Sequence, residues 1–197
     1  MQGPDDPTLE SVLEGCRRGD PLAWELLVRR YQNRVYGLAR TYVADPEEAR
    51  DLAQEVFLRI YRKLAACPPA HQFLPWILAV TRNACIDHLR RQRSRPVGAG
   101  ESPAAVIGVL PHPDPGPEEA CERSLLKDRI RRALGRLTAL NREILILKEI
   151  QGLTLEEISR LLKVPLGTLK SRSHRARLEL AEVLLGTGAS PDGGRED

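Results

Sequence analysis

Aromatic residues are scarce in this 197-residue chain, at 4%. Any core must then be built from Leu, Ile, Val and Ala, the usual filling of helix bundles. Hydrophobic residues reach 42%, enough for the cores of one or two small domains. No segment approaches the roughly 18 unbroken apolar residues of a membrane span. The opening residues, MQGPDDPTLE, are acidic and hold no apolar stretch, so no signal peptide is expected there. Together these absences predict a soluble, cytoplasmic protein without membrane insertion. The cysteines, Cys16, Cys67, Cys85 and Cys121, form no CxxC pair and have no His at metal-ligand spacing. They read as reduced thiols, with no metal site. Paired metal-binding acids, a GxxxxGK[ST] loop and a nucleophile beside a base are all missing. The expectation is a protein that is not an enzyme and takes no cofactor. Alternating strand patterns and fixed-period repeats are absent too.

Charge is plentiful but nearly balanced. Charged residues make up 29% and the net charge is +3, so the distribution of charge has to identify partners. Arg outnumbers Lys, which suits bidentate phosphate contacts and is equally the mark of a GC-rich genome. The stretch RSRPVGAGESPAAVIGVLPHPDPGPEEA, 93–120, holds six prolines and four glycines and has no helical period. It marks a linker over 96–117 between helical domains at 8–95 and 118–185, with a frayed tail at 186–197. The fold class is all-α.

In the first domain Thr8 caps a short helix. Asp20-Pro21 starts a long one reaching Val43, with Leu27, Tyr31, Val35, Leu38 and Tyr42 at intervals of three or four. Asp45-Pro46 starts another, with Leu52, Val56 and Ile60 on one face. After a loop at 65–73 a further helix runs from Leu74, with Ile77, Val80, Ala84 and Leu89 as core positions. In the second domain helices are expected over 118–135, 139–150, 154–162 and 165–185.

The last two of these carry a candidate DNA reader. Thr154 and Glu157 have capping-box spacing, KVP makes a tight connection, and Pro165 suits a first helical position. At 100° per residue Leu166, Leu169, Ser173, Ala176, Leu180 and Val183 fall on one side of the second helix. The other side carries Gly167, Thr168, Ser171, His174, Arg175 and Leu178, flanked by Lys170, Arg177 and Arg172. No acid lies between Ile158 and Leu178, while six residues there are Lys or Arg. Small groups admit base edges, Thr and Ser bond to either base type, and cations hold phosphates. The pattern predicts a DNA-binding helix-turn-helix, which by itself fits a stand-alone repressor or activator as well.

A second basic site differs in character. WILAVTRNACIDHLRRQRSR places Trp76, Arg82, Asn83, Arg90 and Arg91 on one helix. Cations interleaved with an aromatic and an amide suit single-stranded nucleic acid. Taken alone, Trp76 fits a core equally well, and the Arg cluster fits a helix dipole. The strip Glu48, Asp51 and Glu55 repels DNA and faces either water or a basic protein surface.

DLAQEVFLRIYRKL, then PWILAVTRNACIDHLRRQR, then RLTALNREILILKEIQGLTLEEISRLLKVPLGTLKSRSHRARLEL closely resemble the extracytoplasmic-function (ECF) class of bacterial RNA polymerase sigma factors, in the family's order and across both domains. The resemblance implies a transcription initiation factor. Asp51, Gln54 and Glu55 would bind the clamp of the largest subunit of core RNA polymerase, and the flap of the second subunit would be a further contact. Asn83 would meet the exposed strand of the promoter −10 element, with Trp76, Arg82, Asp87, Arg90 and Arg91 nearby. The loop 65–73 would help hold a flipped base. Thr168, Lys170, Ser171, Arg172, His174 and Arg175 would read the duplex −35 element. The linker would thread near the RNA exit path. An anti-sigma factor is the further partner implied.

Overall fold

The computed structural model of the chain describes residues 7–93, 129–130 and 132–186. Every regular element among them is helical. The chain divides into two compact units between His112 and Pro113. The stretch expected as a linker, the start of the helix expected from 118 and the tail from 187 lie outside the described residues.

Unit 1 begins with α1, Leu9–Arg17, whose N-cap Thr8 accepts a hydrogen bond from Ser11 N. Aspartate followed by proline starts the next two helices. Asp20 accepts from Leu22 N ahead of α2, Pro21–Ala39, and Asp45 accepts from Glu47 N ahead of α3, Pro46–Arg62. The carboxylates satisfy orphan N–H groups, and proline fixes φ where no N–H bond is lost. Glu47 and Glu48 in the first turn of α3 and Arg59 and Arg62 in its last turn complement the helix dipole. Between α1 and α2 the approach is close. A Cβ added to Gly15 would meet Ala23 Cβ at 2.6 Å, so this position needs glycine.

Two boundaries in unit 1 differ most from expectation. Helix α2 stops at Ala39 rather than reaching Val43. Arg40 folds back, buried at 6% exposure, and donates to the Val43 carbonyl at 3.1 Å and to that of Ala44. Tyr42 packs, half-buried, against a cluster of Ala39, Val43, Ala49, Leu52 and Cys85. A 3-10 turn, Leu64–Ala66, leads to α4, Ala70–Arg93. The helix thus starts inside the stretch expected as loop. Phe73 is fully buried and meets Tyr31 edge-on at 4.9 Å, and that contact anchors the first turns. Pro75 lies within the helix, at the cost of the bond its N–H would have made to the carbonyl four residues back. Leu27, Val35, Leu38, Val56, Ile60, Ile77, Leu78 and Ala84 complete the core.

The first described element of unit 2 is a helix whose described residues are 129–130 and 132–136 (α5). Helix α6 is Ala139–Leu145, capped by Thr138. The helix expected to run on to Ile150 changes pitch, becoming one π turn over Ile146–Ile150 that Gln151 N closes on Ile146 O at 2.9 Å. Helix α7, Leu155–Leu162, carries the expected capping box in full. Helix α8 spans Leu166–Leu185, and Pro165 sits at its N-cap rather than inside its first turn. The α7–α8 turn runs through Lys163 at φ 58°, a left-handed conformation that costs a non-glycine residue about 1 kcal/mol. Ser159 Oγ donates to Val164 O at 2.7 Å and holds that turn.

Arg142 joins α5 to α6. Its Nε donates to Leu134 O at 2.8 Å, and one terminal nitrogen donates to Gly135 O and Leu137 O at 3.0 Å each. They lie at the end of α5, where helical carbonyls lack the usual partners; Leu134 O also accepts from Leu137 N at 3.2 Å. Burial pulls the Arg142 guanidinium below its ordinary range, yet the three acceptors keep it satisfied. Ile144, Ile146, Leu147, Ile158, Leu169 and Ala176 form the centre of this unit's core. No helix among the described residues is long and apolar enough to cross a membrane.

Candidate nucleic-acid interface

The first half of α8 is built around a narrow spine. Leu169, Ser173 and Ala176 are buried at 0–1% exposure, which turns Gly167, Thr168, Lys170, Ser171, Arg172, His174 and Arg175 outward, all of them exposed. Every −35 candidate of the sequence therefore shares one open face. Ser171 Oγ donates to Thr168 O at 3.0 Å, leaving its lone pairs to accept. Lys170 and Arg172 pair with no acid among the described residues.

Two other arginines of this helix are held. Arg175 Nε donates to Glu179 Oε1 at 2.8 Å, and Arg177 pairs with Glu149 at 3.3 Å and donates to Ser173 Oγ at 3.3 Å. The second oxygen of Glu179 accepts from Asn141 Nδ2 at 3.1 Å, and Asn141 is only 3% exposed. Sequence reasoning missed Asn141, Glu149 and Glu179. The Arg175–Glu179 spacing of four residues was a readable signal; the contact from α6 was not.

On α4, Trp76, Asn83, Asp87 and Arg90 follow one another at intervals of seven, four and three residues, which sets them on a single stripe. Asn83, Asp87, Arg90 and Arg91 are exposed, and Trp76 and Arg82 are half-buried. Trp76 leans on Phe73 with ring centroids 5.7 Å apart, so the core holds one side of the indole. Arg82 lies off the stripe. Behind it Thr81 is buried and bonds to Ile77 O at 2.8 Å.

The acidic strip of α3 proves to be two things. Asp51 and Gln54 are exposed. Glu48 and Glu55 instead reach across to α4. Glu48 meets His88 Nε2 at 2.5 Å and accepts from Gln92. Glu55 accepts from Arg59 at 2.6 Å and pairs with Arg91 at 3.6 Å, while Arg59 also pairs with Asp87 at 3.6 Å. One ion-pair chain, Asp87–Arg59–Glu55–Arg91, thus joins a residue expected to bind polymerase to two expected to meet DNA. Arg59, its centre, was not singled out from sequence. No cluster of potential metal ligands occurs among the described residues.

Comparison with known proteins gives this geometry its context. Residues 27–95 match the family Sigma-70 region 2, and residues 127–180 match Sigma-70, region 4. The chain is 36% identical to the ECF RNA polymerase sigma factor SigE of Mycolicibacterium smegmatis, over 91% of this chain and 69% of that protein. It is 31% identical to the RNA polymerase sigma-H factor of Pseudomonas aeruginosa, over 89% of this chain and 93% of that one. The ECF RNA polymerase sigma-E factor of Escherichia coli is also 31% identical, over 86% and 91%. Among solved structures, CnrH in complex with the cytosolic domain of CnrY aligns at a TM-score of 0.65 and 20% identity, over 92% of this chain and 100% of that one. The sigma factor RpoE in complex with the anti-sigma factor NepR, from Bartonella quintana, aligns at 0.63 and 23%, over 82% and 96%. The structural likenesses show the shared fold, and the two regions and the relatives settle the family: the chain belongs to the ECF class of sigma-70 RNA polymerase sigma factors, and is a transcription initiation factor.

Proposed function

We propose that the protein acts in the cytoplasm as three coupled grips on the initiation machinery. The exposed face of α3, at Asp51, Gln54 and the outer edge of Glu55, binds the clamp of core RNA polymerase, and unit 2 meets the flap. The α4 stripe, centred on Asn83 with Trp76, Asp87, Arg90 and Arg91, captures bases of the opened −10 element, with Arg82 beside it. The outward face of α8, at Thr168, Lys170, Ser171, Arg172, His174 and Arg175, reads the −35 duplex in the major groove. Residues 96–117 tether domains 8–95 and 118–185, so that one engaged site raises the effective concentration of the other. The observation that carries this proposal is the α8 face, with small groups nearest the helix start and long cations around them.

Strand opening draws on binding energy. Unstacking costs a few kcal/mol per step, and captured bases and neutralised phosphates offset it. The protein is thus a recognition factor rather than a catalyst. CnrH is held in complex with the cytosolic domain of CnrY, and the sigma factor RpoE in complex with the anti-sigma factor NepR. We extend that to this chain, with an anti-sigma factor covering its DNA-reading faces.

Core RNA polymerase reconstituted with the chain should yield specific run-off transcripts from a promoter pool. Absence of transcripts would sink the proposal, and sequence-specific duplex binding without polymerase would favour a stand-alone repressor. Within that assay Asn83→Ala should abolish permanganate-reactive opening while leaving core binding and helicity unchanged. Loss of helicity would make Asn83 structural.

A further inference from the structure

Glu179 is out of place on a phosphate-binding surface. It is the first acid after an acid-free run, one helical turn beyond Arg175, and a carboxylate there is repelled by the DNA backbone. Helix stabilisation does not account for it, because an i,i+4 ion pair with the cation on the N-terminal side is the weaker orientation. The side chain is also held from another helix. Its Oε1 takes Arg175 Nε at 2.8 Å, and its Oε2 takes Asn141 Nδ2 at 3.1 Å. Asn141 is buried at 3% exposure, and its Oδ1 has no hydrogen-bond partner, a costly arrangement for a buried amide. A carboxylate only accepts, so Glu179 fixes which way this amide points.

We propose that Glu179 is a specificity-determining positioning residue. Anchored by Asn141, it locks Arg175 in the orientation that reads the upstream promoter element. The inference rests on the proposed role of α8. Glu179 occupies Nε alone, so the guanidinium edge formed by Nη1 and Nη2 stays turned to a further partner. That edge is the fork that meets guanine O6 and N7, or a phosphate, with two parallel bonds. Locked, it discriminates. Released, Arg175 becomes a mobile cation that satisfies any phosphate within reach.

Removing Glu179 therefore has two effects of opposite sign. One negative charge leaves the DNA-facing surface, so binding to random duplex tightens, by about twofold or more at low salt. The lost orientation lowers the preference for the best base at one promoter position, by about tenfold. The test uses holoenzyme formed from the full chain and core RNA polymerase, a pool of duplexes randomised across the upstream element, and sequencing of the bound fraction. Arg175→Ala defines the position that Arg175 reads. Glu179→Ala should lose preference at that same position and no other while binding the unselected pool more tightly, and Glu179→Gln should fall between it and the unaltered chain. Asn141→Ala, with melting as a folding control, should repeat the loss of preference in weaker form. If Arg175→Ala flattens one position and Glu179→Ala leaves it intact, the positioning role is overturned and the α8 proposal stands. If Arg175→Ala changes no position, the base-reading role of Arg175 and this inference fall together. Equal weakening toward every sequence by Glu179→Ala would mark a merely structural residue.

Discussion

The two units dispose of exposed charge in opposite ways. In unit 1 the charges beside the proposed −10 surface are cross-linked between helices. Glu48 holds His88 and Gln92, and Glu55 and Asp87 share Arg59 and Arg91. In unit 2 Lys170 and Arg172 project from α8 without an acidic partner among the described residues, and the charge tied to acids on that helix is at Arg175 and Arg177. The difference follows the proposed substrates. A surface that captures single strands gains from being rigid before the strand arrives, while one that meets duplex gains from cations whose only counterions are exchangeable ones released on binding.

Three experiments press on this contrast. Both tryptophans, Trp24 and Trp76, lie in unit 1, so fluorescence follows unit 1 while circular dichroism follows both. The largest effect is expected from Arg142→Met, which keeps the aliphatic packing but removes three hydrogen bonds and leaves Gly135 O and Leu137 O without that donor, while Leu134 O keeps Leu137 N. It should cost unit 2 about 3 kcal/mol, lowering the denaturant midpoint seen by circular dichroism and leaving the tryptophan transition in place. A shift in fluorescence would show that the units do not unfold separately.

Next in size is the salt dependence. Lys170→Ala and Arg172→Ala should each flatten the slope of log affinity against log salt by about one, for a −35 duplex. Arg59→Gln should leave that slope alone and cost unit 1 about 1 kcal/mol or less, because its ion pairs are partly exposed. An equal slope change from Arg59→Gln would erase the contrast.

The smallest effect is alkaline. Burial pushes the Cys16 and Cys67 thiols and the Tyr31 phenol up from their ordinary values, and Cys16 is pushed further by the nearby Cys67. In the folded unit these groups keep protons that the unfolded chain has released. Stability is thus complete below about pH 8.5 and falls as pH rises above it. The described part of unit 2 contains neither Cys nor Tyr. Raising the pH should lower the fluorescence midpoint ahead of the unit 2 transition, and Cys16→Ala with Cys67→Ala should remove the early part of that fall.

What could be read in the sequence depended on distance along the chain. Asp20-Pro21, Asp45-Pro46 and the Thr154–Glu157 box act within a few residues, and each starts a helix where expected. The outward set on α8 follows from 3.6-residue periodicity, and the structure turns every member out. Other features need partners far apart. Phe73 falls in the stretch expected as a loop, but Tyr31, 42 residues earlier, draws it into the core. The Glu48–His88 pair spans 40 residues and the Asn141–Glu179 pair spans 38, and no local pattern encodes either. Arg40 and Arg142 escape for another reason: their acceptors are nearby main-chain carbonyls, which no side-chain pattern encodes.

The π turn at Ile146–Ile150 acts as a one-residue insertion in the end of its helix. Ile144, Leu145, Ile146 and Leu147 are all buried, although four consecutive residues of an α-helix sweep most of the way around its axis. A π turn is how a helix absorbs one residue too many. Here the turn also ends the helix, because Gly152 follows at φ 77° and α7 takes its register afresh from Thr154. Removing one residue from this turn should disturb Gln151 and Leu153, whose N–H groups bond back to Ile146 O and Leu147 O, and should leave α7 to its own cap.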